Sequence, residues 1–313
     1  MKTTAGVALA LALGLGLSQT SSWKSLAPLS QARQEIGVAV AEGRLYVAGG
    51  FYANGATSDL LEVYDPASNR WQRLEPLPTA VNHPGMAAAG GKIYVLGGYR
   101  GPGLGRPTAA VQSYDPASGR WSQKRPMPTA RGGLVAAELE GKIYAVGGAA
   151  GGSVGDFAVY DPATDGWSAL PPMPTPRDHL AAGVIEGRIY VVGGRNQQSF
   201  TLNVLEVYDP ATRRWSSLPP MPTGRSGHAA AAVGSCLYVL GGEGNRNARN
   251  GVFAEVEVYN ARSSTWKSLE PMPAPRHGIM AAVLGGRIYL PGGADVQGLG
   301  AVTTSDVFDP PGC

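Results

Sequence analysis

The stretch Arg188-Ile189-Tyr190-Val191-Val192-Gly193-Gly194, followed after a loop by Val204-Leu205-Glu206-Val207-Tyr208-Asp209-Pro210-Ala211-Thr212 and then Trp215, decides the fold. It contains an apolar strand that stops at two glycines, a strand that alternates with period two, a turn of Asx-Pro type and a tryptophan that opens a further strand. Just upstream, Pro172-Met173-Pro174-Thr175-Pro176-Arg177 leads into a small-residue strand at 180–185, and Glu186-Gly187-Arg188 turns the chain back. The unit therefore has four short strands. It recurs: Trp23, Trp71, Trp121, Trp167, Trp215 and Trp266 each stand 26 residues before a glycine pair, at Gly49, Gly97, Gly147, Gly193, Gly241 and Gly292. Four-stranded units repeating every 46 to 51 residues cannot each bury a core alone, and they pack as blades around an axis. The expected fold is all-β, a six-bladed β-propeller with four antiparallel strands per blade.

The two ends complete one another. The chain enters its repeats at Trp23, a fourth-strand residue, and leaves them at Phe308-Asp309-Pro310, a third strand. Residues 23–29 are expected to close the last blade, which removes two open strand edges. The composition agrees with one large β domain: 45 glycines and 25 prolines punctuate short strands, and 16% charged residues against 43% hydrophobic ones leave ample material for a core. A net charge of +3, with no basic block, does not suit nucleic acid. At the N-terminus, Lys2 precedes an apolar run from Ala5 to Leu17, and Gly16 and Ser18 suit cleavage before Gln19. That run is too short to span a bilayer as a helix. Residues 1–18 are expected to be an export signal and residues 19–313 a single domain, secreted or periplasmic, monomeric and without a membrane span.

Tyr190, Gly193-Gly194, Tyr208 and Trp215 resemble the kelch repeat. The same tyrosine recurs before the other glycine pairs as Tyr46, Tyr94, Tyr144, Tyr238 and Tyr289. A Tyr-to-Trp spacing of seven holds in Tyr64/Trp71, Tyr114/Trp121, Tyr160/Trp167, Tyr208/Trp215 and Tyr259/Trp266. The resemblance covers roughly residues 23–310. The glycines are expected to supply backbone freedom, and the aromatic residues to pack between blades with their polar atoms bonded locally.

Length varies only in the loop after Gly-Gly, where 12 to 17 residues separate the second glycine from the third-strand Tyr or Phe. That loop and the fourth-to-first-strand connection emerge on one face, the usual site of binding in repeat folds. Its candidate contacts are Phe51, Tyr52 and Asn54; Tyr99, Arg100 and Arg106; Arg195, Asn196, Gln197, Gln198 and Phe200; and Glu243, Asn245, Arg246, Asn247, Arg249 and Asn250. Five repeats also place an arginine just before the first strand: Arg33, Arg131, Arg177, Arg225 and Arg276, with Val81 in the second repeat. First strands line the central channel, so these guanidiniums are expected to ring its mouth. Two roles are open. They bind carboxylate or phosphate, as the planar fork permits and as the kelch resemblance implies for partner binding, or they pair with loop carboxylates and turn carbonyls. Glu35, Asp178 and Glu243 neutralise part of their field.

There is no HExxH, CxxC or phosphate-cradling loop. His83, His179, His228 and His277 follow the arginine position in four different blades, and they converge on a metal only if the channel is narrow there. No metal and no nucleotide, flavin or haem cofactor is expected. The resemblance implies two enzymatic alternatives. One is a sialic-acid mutarotase, for which Glu243 with Arg225 or Arg276 is the acid/base pair to test. The other is a copper oxidase of the galactose oxidase type, for which Cys236, in a turn, is poorly placed. Cys236 and Cys313 fall in neighbouring blades on the face opposite the arginines, so in an oxidising compartment a disulfide is possible. The reading that results is a non-catalytic scaffold binding an unidentified protein or glycan, anionic in character, on the arginine-lined face.

Overall fold

A computed structural model describes residues 22–313, all strand and loop with no helix. The export signal expected over residues 1–18 lies outside the described residues. Six four-stranded antiparallel sheets form the blades. In the fourth blade the strands are Ala181–Ile185, Arg188–Val192, Leu205–Asp209 and Arg214–Leu218, within a residue or so of the limits read from sequence. The sixth blade takes Ala282–Leu284, Arg287–Pro291 and Ser305–Phe308 from the C-terminus, and Trp23–Ser25 from the N-terminus.

Closure copies the pairing used inside every other blade. Tyr64 lies opposite Trp71, Tyr114 opposite Trp121, Tyr160 opposite Trp167, Tyr208 opposite Trp215 and Tyr259 opposite Trp266, with ring centroids 5.0–5.2 Å apart. The sixth pair, Trp23 with Phe308 at 4.7 Å, joins the two ends of the chain. Tilted aromatic pairs add about 0.5–1.5 kcal/mol beyond the area they bury. Indole N–H groups then reach into the preceding blade: Trp71 donates to the Ala27 carbonyl, Trp121 to Glu75, Trp167 to Arg125, Trp215 to Pro171 and Trp266 to Pro219, all at 2.8–3.0 Å.

The core lies between blades rather than inside a sheet. One cluster joins Tyr46 and Val63 of the first blade to Met86, Ile93 and Tyr114 of the second. The glycine pairs let neighbouring backbones meet. Both glycines of each pair have positive φ, for example 64° and 95° at Gly49 and Gly50. The second N–H donates to the carbonyl at the arginine position of the next blade, as in Gly50 to Val81, Gly148 to Arg177 and Gly293 to Arg33, at 2.9–3.0 Å. A Cβ on Gly97 would lie 2.5 Å from the Arg131 carbonyl, so only glycine fits.

Cys236, which opens the second strand of the fifth blade, forms a disulfide with Cys313, with Cα atoms 5.8 Å apart. The tail is held further by the Asn260 side-chain amide donating to the Cys313 carbonyl at 3.0 Å and by Tyr238 Oη donating to the Pro311 carbonyl. The bond closes a loop of 77 residues, so Cys313→Ser is expected to lower unfolding free energy by about 2–4 kcal/mol in a chemical denaturation series. Deleting residues 19–30 opens both edges of the ring, and the protein is expected to lose most of its soluble yield. A soluble truncation with unchanged melting temperature would refute closure by the N-terminal strand.

Candidate functional site

The channel mouth is built by one residue per blade, two positions after the arginine: Glu35, His83, Gly133, His179, Gly227 and Gly278. All six have φ between 51° and 64°. Their backbones form a closed circle. Glu35 N–H donates to the Gly278 carbonyl, His83 to Glu35, Gly133 to His83, His179 to Gly133, Gly227 to His179 and Gly278 to Gly227, at 2.8–3.0 Å. Below the circle, small and apolar first-strand residues such as Val38, Met86, Ala136 and Ala182 line a cavity of about 100 Å³.

One position earlier, each blade makes a bridge to the residue after its glycine pair: Gln34 with Phe51, Asn82 with Tyr99, Gly132 with Ala149, Asp178 with Arg195, Ser226 with Glu243 and His277 with Ala294. This places the variable loops on the channel-mouth face, as their lengths suggested.

The arginines are not at the mouth. Arg33, Arg131, Arg177, Arg225 and Arg276 are at most 1% exposed and point back into their own blades. Arg33 pairs with Glu62, Arg177 with Glu206 (2.5 Å), Arg225 with Glu257 (3.1 Å), Arg276 with Asp306 (2.8 Å) and Arg131 with Asp156 (3.4 Å). Four of them also donate to a second-strand carbonyl, such as Val191 for Arg177 at 3.1 Å. The guanidiniums thus tie together the first three strands of a blade, and no ligand reaches them. Of the two roles open in sequence, carboxylate pairing is the one the fold uses. The signal was present: a carboxylate stands two residues before the third-strand Tyr or Phe at Glu62, Glu206, Glu257 and Asp306, and in the second blade, where Val81 replaces the arginine, that position is Gln112. The expected Glu243–Arg225 pair is likewise not formed, because Arg225 is committed to Glu257.

What does gather at the mouth is a network that sequence reasoning only touched. Arg195 donates to Asp178 at 3.1 Å, to Glu243 at 3.0 Å and to His179 Nε2 at 2.9 Å, and its guanidinium lies 5.0 Å from the Phe200 ring centre. His83 and His179 converge, with ring centres 4.8 Å apart, because the narrow hydrogen-bonded circle aims both inward. His277 Nδ1 faces Glu243 at 3.5 Å and Glu35 at 3.7 Å. Burial acts to raise the Asp178 carboxyl, but the hydrogen bond and charge of His179, with Ser153 and Arg195, outweigh it and hold it at about 2. Tyr99, expected among the loop contacts, is instead buried beside this group, and burial first pushes it up to about 12. His228 sits lower, buried within the first-strand layer and apart from this network.

Of the loop candidates, Arg100, Arg106, Gln197, Arg246, Asn247 and Arg249 are exposed, and Tyr52, Asn196 and Asn245 are half-buried. Arg100 and Arg106 lie directly opposite one another on a short ribbon, Tyr99–Arg100 with Arg106–Pro107. The disulfide takes both cysteines of the chain, leaving no thiol for a thioether-linked copper site.

The family model described as the Attractin/LZTR1 beta-propeller matches residues 45–303. The chain belongs to this kelch-repeat β-propeller family. Among curated kelch relatives, Kelch-like protein terF of Aspergillus terreus is 38% identical over 68 residues, covering 22% of this chain and 15% of that one. Kelch-like protein 36 of Mus musculus is 45% identical over 53 residues, covering 17% and 9%. The chain therefore spans only a small part of the curated relatives it matches. A solved structure titled "Structure of YjhT" superposes with a TM-score of 0.76 at 17% identity, covering 90% of this chain and 95% of that one, a likeness of fold. Among the described residues, no helix is long and apolar enough to cross a membrane.

Breaking one buried pair leaves an uncompensated charge, so Arg177→Met is expected to cost about 3–5 kcal/mol by denaturation, most of it recovered in Arg177→Met/Glu206→Leu. Burial first, then Arg225, lowers the His228 imidazole to about 3 from a usual 6.5. The unfolded chain takes up that proton and the folded chain does not, so stability is full above pH 6.5 and falls with pH below it. His228→Leu is expected to remove about 3 kcal/mol of the loss between pH 7 and pH 4, read as a flatter melting-temperature profile.

Proposed function

We propose that this kelch propeller is an exported binding scaffold whose partner docks on the variable-loop face. One observation carries this reading: the large hydrophobic side chains exposed among the described residues, Leu104 (57%), Phe200 (40%), Val296 (39%) and Leu299 (55%), all stand on loops after glycine pairs. They belong to the second, fourth and sixth blades, so they surround the channel mouth. Apolar side chains gathered on one face favour association. Neighbouring loops are joined into a continuous rim, as where Asn250 donates to the Asp295 carbonyl at 2.9 Å and Gln34 to the Gly298 carbonyl at 2.6 Å.

Charge gives the partner a sign. Exposed Arg100, Arg106, Arg246 and Arg249 outnumber exposed Asp59 and Asp295 on these loops. The Arg100–Arg106 juxtaposition is costly unless an anion shares it. An acidic protein surface with apolar side chains fits better than a glycan, and the anionic character expected of the ligand moves from the buried arginines to the loops. The disulfide supports an oxidising location, outside the cytoplasm.

The test compares two variants in capture of partners from the exported fraction, followed by affinity measurement on the purified partner. The loop-face variant Arg100→Glu/Phe200→Ser/Leu299→Ser is expected to bind at least ten-fold more weakly. The opposite-face variant Glu140→Lys/Lys142→Glu is expected to bind like the parent. Equal binding by both would sink the reading.

A second reading has one observation in its favour. Glu243, with Arg195 and His277 beside it at the channel mouth, is an acid/base group next to a guanidinium that suits an acidic sugar. A sialic-acid mutarotase would accelerate anomer exchange of N-acetylneuraminate and lose that rate in Glu243→Gln. A parent protein with no acceleration excludes it.

A further inference from the structure

Three of the six positions in the channel circle are glycine, the residue a φ near 60° favours. The other three are Glu35, His83 and His179. A non-glycine residue held there costs about 1–3 kcal/mol, and such strain gathers where function needs a side chain. The three that accept this strain bring their ligand atoms, a carboxylate oxygen and two imidazole nitrogens, within 4.8 Å of one another. Glycine at the remaining positions keeps the space open: a Cβ on Gly278 would lie 2.7 Å from Glu35 Oε1, and one on Gly133 would lie 3.1 Å from His179 Nδ1.

The imidazoles are already oriented as ligands. His83 Nδ1 is hydrogen-bonded to Asn82 Oδ1 at 2.7 Å and His179 Nδ1 to Asp178 Oδ1 at 2.6 Å. Both nitrogens must carry their proton towards those acceptors, which leaves the Nε2 lone pairs facing the channel. This is the outer hydrogen bonding that holds metal-binding histidines.

Two further features call for a cation. Three carboxylates gather at the mouth with one guanidinium: Arg195 pairs with Asp178 and Glu243, while Glu35 lies against the imidazoles of His83 and His277. His277, 1% exposed, donates from Nε2 to the Val296 carbonyl, and its Nδ1 has no hydrogen-bond partner while it points at two carboxylates.

We propose that the channel mouth binds one first-row divalent cation of the Zn²⁺ type through Glu35, His83 Nε2 and His179 Nε2, with Glu243 and His277 beside it. Bond lengths of about 2.0–2.2 Å require the donors to draw together by side-chain rotation. His83 Nε2 and a Glu35 oxygen, 3.4 Å apart, already have the spacing of two ligands on one ion. Arg195 occupies the His179 lone pair at 2.9 Å, and the cation displaces that one bond while Arg195 keeps Asp178 and Glu243.

The untagged protein, stripped with chelator, is titrated with Zn²⁺ by calorimetry and with Co²⁺ by visible absorption at pH 7.5. One equivalent per chain is expected, with a Co²⁺ spectrum of nitrogen–oxygen ligation. His83→Gly and His179→Gly are expected to weaken binding at least 100-fold while melting temperature holds or rises, since glycine relieves the backbone. Glu35→Gln is expected to weaken it at least ten-fold without touching the backbone. Absence of stoichiometric binding by the parent would overturn the proposal. Unchanged binding in the glycine variants would overturn it as well.

Discussion

The N–H of Glu35 donates to the carbonyl of Gly278, and this bond closes the hydrogen-bonded circle by joining the first blade to the last. The five other bonds of the circle follow the order of the chain. This one joins the two ends of the ring, where Trp23 stands opposite Phe308. A propeller has no single central core to collapse on. Its core is a set of six wedges between sheets, so each blade is stable only when both neighbours are present. Ring closure is thus the condition under which all the other interfaces reach full burial. The Cys236–Cys313 bond and the tail contacts to Tyr238 and Asn260 hold the C-terminal end beside the fifth blade.

Within that ring, polar groups are divided by depth. The five blade arginines are sealed against third-strand or adjacent carboxylates and backbone carbonyls of their own blade, where a planar, permanently charged group can satisfy several acceptors at once. They stiffen the blades and are withdrawn from chemistry. One residue pair further towards the mouth, the charges are exchanged between blades instead: Arg195 of the fourth blade holds Glu243 of the fifth, and His277 of the sixth faces Glu35 of the first. Strength inside blades and chemistry between them follow from the same geometry. The turn before a first strand points one side chain back into its sheet and, where the residue two positions later is Glu35, His83 or His179 rather than glycine, another into the channel.

The outer surface has a third division. Turns on the face away from the mouth are short and polar, and the Asp of each Asx turn caps its own backbone, as Asp65 does for Ala67 at 2.9 Å. The loops on the mouth face carry the exposed Leu104, Phe200, Val296 and Leu299. A fold that repeats its interior closely is free to vary there, since those loops add little to the wedges.

The Trp-to-GlyGly and Tyr-to-Trp spacings determined the number of blades, the strands in each, the closure and the face of the variable loops, because they are local constraints on turn length and aromatic packing that survive repetition. The seven-residue Tyr-to-Trp interval also matches the register, for Tyr208 stands opposite Trp215. The direction of a side chain just outside a strand was another matter. Arg177 and His179 are two residues apart, yet one ends beside Glu206 in the sheet and the other beside His83 in the channel. That choice rests on a positive φ at His179 and on bonds to neighbouring blades, and neither exists until the ring is assembled. The convergence of Glu35, His83 and His179 from three blades is likewise a product of channel width, a distance set by how six sheets pack rather than by any interval along the chain.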